Sequence, residues 1–142
     1  FIPYGTMVDA FQHIVYENPD MTPTERDAAW LDLEKQFRPY LSMEGMPYLE
    51  RGTRWQYQMH IYETPFYYID YCLAQTAAFQ FLLASQKDYD QAFAAYMHFS
   101  KQGGEKAWTE LLTEAGLRSP FEDGALQDVG VQIENLLDKI RV

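Results

Sequence analysis

Val8, Phe11, Ile14 and Val15 recur at helical spacing while Asp9, His13 and Glu17 line another face at intervals of four, which predicts a first helix from about Phe1 or Thr6 to Tyr16. Asn18-Pro19-Asp20 ends it. Thr22-Pro23-Thr24-Glu25 is a capping box with proline in the first turn, and Ala29, Leu33 and Phe37, with Trp30 adjoining, carry a second helix to Arg38, before Pro39. Residues 39 to 52, rich in Met, Pro, Gly and Tyr, read as a surface loop in which Gly45 and Gly52 either permit movement or simply make turns. A short helix from Trp55 to Met59 then delivers His60.

Thr64-Pro65 has the form of a helix start, and the helix it predicts runs from Pro65 to Ser85 with Asp70 as its only formal charge. Apolar side chains lie on all its sides, so it is expected to be the buried central helix. Its length just reaches that of a bilayer span, but Asp70, Gln75, Thr76 and Gln80 distribute polar groups along it and no basic flank sets an orientation, so a soluble core is favoured. Asp88 caps the next helix, to about Lys101, with Phe93, Tyr96, Met97 and Phe99 expected to turn inward. Gly103-Gly104 breaks the chain, Trp108, Leu111, Leu112 and Ala115 form a short helix, and Gly116 stops it. Ser119-Pro120-Phe121-Glu122 has the capping-box pattern again and opens an amphipathic helix through Leu126, Val129, Ile133, Leu136, Leu137 and Ile140, interrupted or slowed at Gly124 and Gly130. The expected fold is all-α, six or seven helices in a single domain over residues 1–142.

Composition narrows the function. Twenty-one acidic residues against 11 basic ones leave a formal charge of -10, which disfavours nucleic acid and anionic membranes as partners. The single cysteine, Cys72, excludes an internal disulfide and suits a reducing, cytoplasmic setting. His13 and Glu17, four apart, fall far short of a metal ligand set and read better as part of a charge ladder.

The chemistry gathers near Thr64. Tyr68 and Tyr71 are three apart, Tyr67 and Tyr71 four apart, and His60 lies four residues before the predicted cap. Buried phenols and imidazoles need hydrogen-bond partners, so the cluster is either a hydrogen-bonded core or a set of neutral donors at the positive end of a helix, where an oxyanion can be held. Spacing alone favours the core.

The run His60-Ile61-Tyr62-Glu63-Thr64-Pro65-Phe66-Tyr67-Tyr68-Ile69-Asp70-Tyr71, with Phe1 to His13 upstream and Ser119-Pro120-Phe121-Glu122 downstream, resembles the C-terminal part of the oligoendopeptidase F group in the thimet oligopeptidase family of zinc metallopeptidases. That resemblance implies the C-terminal part of a zincin-like catalytic domain that hydrolyses oligopeptides. It implies that His60 contacts the substrate backbone and that Tyr68 and Tyr71 donate to the carbonyl oxygen as it becomes tetrahedral. The loop after the histidine is one residue shorter than in better-known oligopeptidases and lacks their additional tyrosine; Tyr62 or Tyr67 is a substitute in substrate binding. No His-Glu-x-x-His occurs, so the zinc of the family, its ligands and its general base are expected upstream of Phe1, and the chain alone is expected to be inactive. The implied partners are an oligopeptide and the upstream part of the same domain, with homo-oligomerisation through an exposed apolar face as a further expectation. The rival is a non-catalytic helical module that binds a protein or peptide.

Overall fold

The computed structural model describes residues 1–140, and these carry seven α-helices and two 3-10 turns, with no strand among them. The helices are α1 (Ile2–Glu17), α2 (Pro23–Phe37), α3 (His60–Glu63), α4 (Ile69–Ser85), α5 (Tyr89–Gln102), α6 (Trp108–Glu114) and α7 (Ala125–Ile140). The 3-10 turns, Leu49–Arg51 and Thr53–Tyr57, lie between α2 and α3. The all-α expectation is met. The chain forms two compact units, Phe1–Cys72 and the residues from Leu73 onward, so that α4 gives its first four residues to one and the rest to the other.

In the first unit the capping box at the start of α2 forms in both directions: Glu25 N–H donates to the Thr22 hydroxyl, and Thr22 N–H donates to the Glu25 carboxylate. The core is built around α1, whose Met7, Val8 and Phe11 pack with Trp30 and Leu33 of α2, Trp55 and Ile61. Both tryptophans keep their indole N–H satisfied at the edge of this core, Trp30 on Glu34 at 3.1 Å and Trp55 on Asp27 at 2.8 Å. Gly52 is a packing turn: with φ at +83°, it lies so close to the Asp27 carbonyl that a Cβ would sit 2.2 Å from that oxygen.

Several expectations need correction. Helix α4 starts at Ile69, one turn later than Pro65, because Thr64-Pro65-Phe66-Tyr67 closes as a turn with Tyr67 N–H on the Thr64 carbonyl at 3.2 Å and Phe66 left-handed at φ 62°. Proline is as favourable in the second place of such a turn as at a helix start, and periodicity cannot tell the two apart. Nor is α4 buried all round. Cys72, Thr76 and Ala77 are buried, whereas Asp70, Tyr71, Ala74, Ala78 and Leu82 are exposed, and the core of the first unit belongs to α1. Ser119 to Glu122 forms only a turn: Ser119 N–H reaches Glu122, but the Ser119 hydroxyl accepts from Phe121, and α7 waits until Gly124 has reversed the backbone at φ +76°. From there α7 passes Gly130 without a break.

In the second unit Ala92, Leu111, Leu112, Ala125 and Val129 are buried. Asp88 caps α5 by accepting from Gln91 N–H, and Gln80 clamps the Arg118 backbone at both its N–H and its carbonyl, each at 2.9 Å. Phe99 is half-buried and packs edge-on against Phe81. Phe93, Tyr96 and Met97, expected inside, are exposed, although the Tyr96 ring also meets Phe81 edge-on; Ala92 is the buried residue of α5, and Phe93 stacks on Tyr89. Among the described residues no helix is long and apolar enough to cross a membrane.

Helix α1 meets the start of α4 through Gly5, where a Cβ would fall 2.2 Å from the Cys72 sulfur. Gly5→Ala is therefore expected to destabilise the fold by about 2 kcal/mol, the usual scale of overpacking. Adding Cys72→Ala should return most of that loss, as denaturant unfolding of the single and double variants would record.

Candidate functional site

The segment from Gln58 to Phe66 is held against α1 by three side chains separated by multiples of four, Tyr4, Gln12 and Tyr16. Tyr16 donates its hydroxyl to the Ile61 carbonyl at 3.0 Å. Gln12, fully buried, accepts from Phe66 N–H at 2.8 Å while its own amide nitrogen donates to the Val8 carbonyl. Tyr4 donates to Gln58 Oε1 at 2.8 Å. The left-handed Phe66 is thus bonded through its backbone, and its ring packs on His13 and Tyr16 with centroids at 5.0 and 5.3 Å. Such a backbone costs a non-glycine residue of order 1–3 kcal/mol and persists where its surroundings over-determine it.

The turn brings His60 to the tyrosines. The imidazole lies edge-on to Tyr68 with ring centroids 4.6 Å apart and to Tyr71 at 6.3 Å. Tyr71 is 5.8 Å from Tyr68 and 5.5 Å from Tyr67. Tyr68 follows the turn and Tyr71 is the third residue of α4, so both stand at that helix's positive end. Tyr67 and Tyr71 remain 47 % and 44 % exposed, so two of the phenols open outward.

Tyr68, Tyr71 and Tyr4 are poised as donors. Burial raises Tyr68 above the ordinary phenol value, with Cys72 adding to it and Arg54 opposing. The Tyr67 phenol beside Tyr71 raises Tyr71 first, helped by burial, Tyr68 and Asp70. Burial also raises Tyr4 against the lowering pull of Arg54 and Arg38. At neutral pH each keeps its proton and can give a hydrogen bond.

Tyr62 is placed elsewhere. It packs on Trp55 at 6.2 Å and, with Tyr16, Arg26 and Ile61, lines a cavity of about 220 Å³. A larger opening of about 810 Å³ in the second unit is lined by Gln80, Ala84, Gln91, Arg118 and others, with no histidine or tyrosine among them. His13 pairs with Asp9 at 3.5 Å, the ladder expected of that face. His98 is exposed and bonded to Gln102.

The chain matches the family model for peptidase family M3 over residues 1–131. It belongs to that family. Its oligoendopeptidase F resemblance is supported by solved structures. A 3.1 Å X-ray structure of a protein described as oligoendopeptidase F is 51 % identical, with a TM-score of 0.92 over 97 % of this chain and 24 % of that one. PZ peptidase A with an inhibitor is also 51 % identical, with a TM-score of 0.93 over 99 % of this chain and 25 % of that one. An oligoendopeptidase F from Bacillus anthracis is 38 % identical, with a TM-score of 0.76 over 99 % and 22 %. The chain thus spans about a quarter of the length of these structures. No curated protein matches it.

M3 peptidases are generally zinc-dependent. Among the described residues no group of three or more His, Cys, Asp or Glu side chains is placed to hold a metal, and the sequence has no His-Glu-x-x-His, so these residues do not fit that ion.

Tyr4, Gln12, Tyr16 and Gln58 were not singled out by sequence reasoning. Gln12 alone left a signal, a polar residue four positions after the core residue Val8.

Removing the Gln12 acceptor strands a backbone N–H, so Gln12→Leu is expected to cost about 1–3 kcal/mol in unfolding free energy and to speed hydrogen exchange at the Phe66 amide. A pH effect should appear at Asp9. Burial raises its pKa, opposed by His13 and assisted by Asp70, so the folded state loses stability as pH rises through the folded value and the carboxylate ionises. Asp9→Asn should therefore be more stable than the parent at pH 7 and no more stable at pH 3, as melts at the two pH values would register.

Proposed function

We propose that this chain supplies part of the substrate-binding wall of an M3 zinc endopeptidase acting on oligopeptides. The observation that carries the reading is the convergence of one imidazole and two phenols, His60, Tyr68 and Tyr71, beside an open surface at a helix start. A peptide carbonyl under attack gains negative charge on its oxygen, and neutral donors already oriented toward that point stabilise it without reorganising. Tyr68 and Tyr71 take that role, and His60 holds the adjacent backbone of the substrate. Tyr67 supports Tyr71 and borders the peptide. Tyr62 contributes through the smaller cavity, where aromatic walls and Arg26 suit a side chain of the peptide.

The 142 residues alone do not hydrolyse peptides in this reading, since the metal and its base come from outside them. The exposed Phe93, Leu126, Val131, Leu137 and Ile140 then serve as the apolar surface against which the rest of a single cytoplasmic catalytic domain, or a second copy, packs.

In the enzyme that carries these residues, Tyr71→Phe should lower kcat about 100-fold with little change in KM, because the lost bond is made chiefly in the transition state. His60→Ala should lower kcat and raise KM together. Near-full activity of Tyr71→Phe in steady-state peptide hydrolysis would refute the oxyanion role, and a helical binding module without catalysis would show no dependence on either residue.

A further inference from the structure

Histidine can carry its neutral-state proton on either ring nitrogen, and the bond made by one nitrogen decides what the other presents. Around His60 that bond is part of a chain. The Tyr4 hydroxyl reaches Gln58 Oε1 at 2.8 Å, and Gln58 Nε2 lies 2.7 Å from His60 Nδ1. A carboxamide nitrogen only donates, so with Oε1 receiving the phenol proton, Nδ1 must be the acceptor. The guanidinium groups of Arg38 and Arg54, 4.8 and 5.6 Å from the Tyr4 ring centroid, polarise the phenol O–H and favour its role as donor. Turning the amide over would set two donors against each other unless Tyr4 gave up its proton elsewhere, and among the described residues its hydroxyl has no other acceptor.

We infer that Tyr4 and Gln58 are positioning residues that lock His60 as the Nε2–H tautomer, so that its outer edge offers a hydrogen-bond donor to a carbonyl oxygen. The inference deepens the proposed function and rests on its assignment of His60 to the substrate. In this form Nε2 has no lone pair to take a proton or bind a metal ion, so His60 acts neither as general base nor as ligand through that atom. No proton is transferred; the ring is held ready.

The test is a two-bond proton–nitrogen correlation spectrum of the enzyme labelled with ¹⁵N-histidine, with His60 assigned by its disappearance in His60→Ala. The expected spectrum has a protonated Nε2 and a bare Nδ1. Gln58→Glu, whose carboxylate accepts from Nδ1–H, should move the proton to Nδ1 and lower kcat/KM at least about tenfold, since Nε2 then faces the carbonyl as an acceptor. Gln58→Leu should give a mixture of tautomers, and Tyr4→Phe a smaller shift in the same direction. A wild-type spectrum with the proton on Nδ1, or a Gln58→Glu spectrum identical to wild type, overturns the inference even if the variants lose activity by unfolding. Full activity of His60→Ala together with the expected spectrum would instead refute the functional assignment of His60 and leave the tautomer lock standing.

Discussion

The bond between Gln12 and the Phe66 amide is the constraint on which the site's geometry depends. A left-handed phenylalanine is unfavourable by itself, and here a fully buried amide meets its N–H while His13 and Tyr16 pack its ring. Because the turn closes there, α4 cannot begin until Ile69, and Tyr68 and Tyr71 fall at its first turn beside His60. A helix starting at Pro65 would have carried Tyr68 and Tyr71 into its second turn.

Helix α1 therefore works both as core and as template. Its apolar side supplies Met7, Val8 and Phe11 to the packing with Trp30 and Trp55, and Tyr4, Gln12 and Tyr16 carry bonds to the segment that bears His60. Rigidity at a distance follows from this division. The tyrosine rings meet edge to face, so each phenol is oriented by its neighbours, and burial or neighbouring phenols keep those protons in place. This is the preorganisation that the proposed role in an M3 peptidase requires.

Much of this was readable from residue order. The capping box at Thr22, the cap at Asp88, the breaks at Asn18 and Gly103-Gly104, and the all-α class depend on interactions within a few residues, which neighbouring letters specify. The nearness of His60, Tyr67, Tyr68 and Tyr71 was legible for the same reason, all lying within twelve consecutive residues. The misplaced helix starts arose where one local pattern serves two conformations. Thr64-Pro65 and Ser119-Pro120 fit a turn as well as a helix start, and contacts from α1 or a left-handed glycine made the choice.

By itself the sequence determined the helical class, the caps at Thr22 and Asp88 and the identity of the clustered side chains, because those follow from short-range bonding and spacing. Only the tertiary structure decided that Gln12 lies under Phe66, that Tyr4 reaches Gln58 across 54 positions, and that Tyr62 turns away to another cavity. Bonds between residues so far apart in the chain depend on how helices pack, and packing leaves no periodic trace in the order of residues.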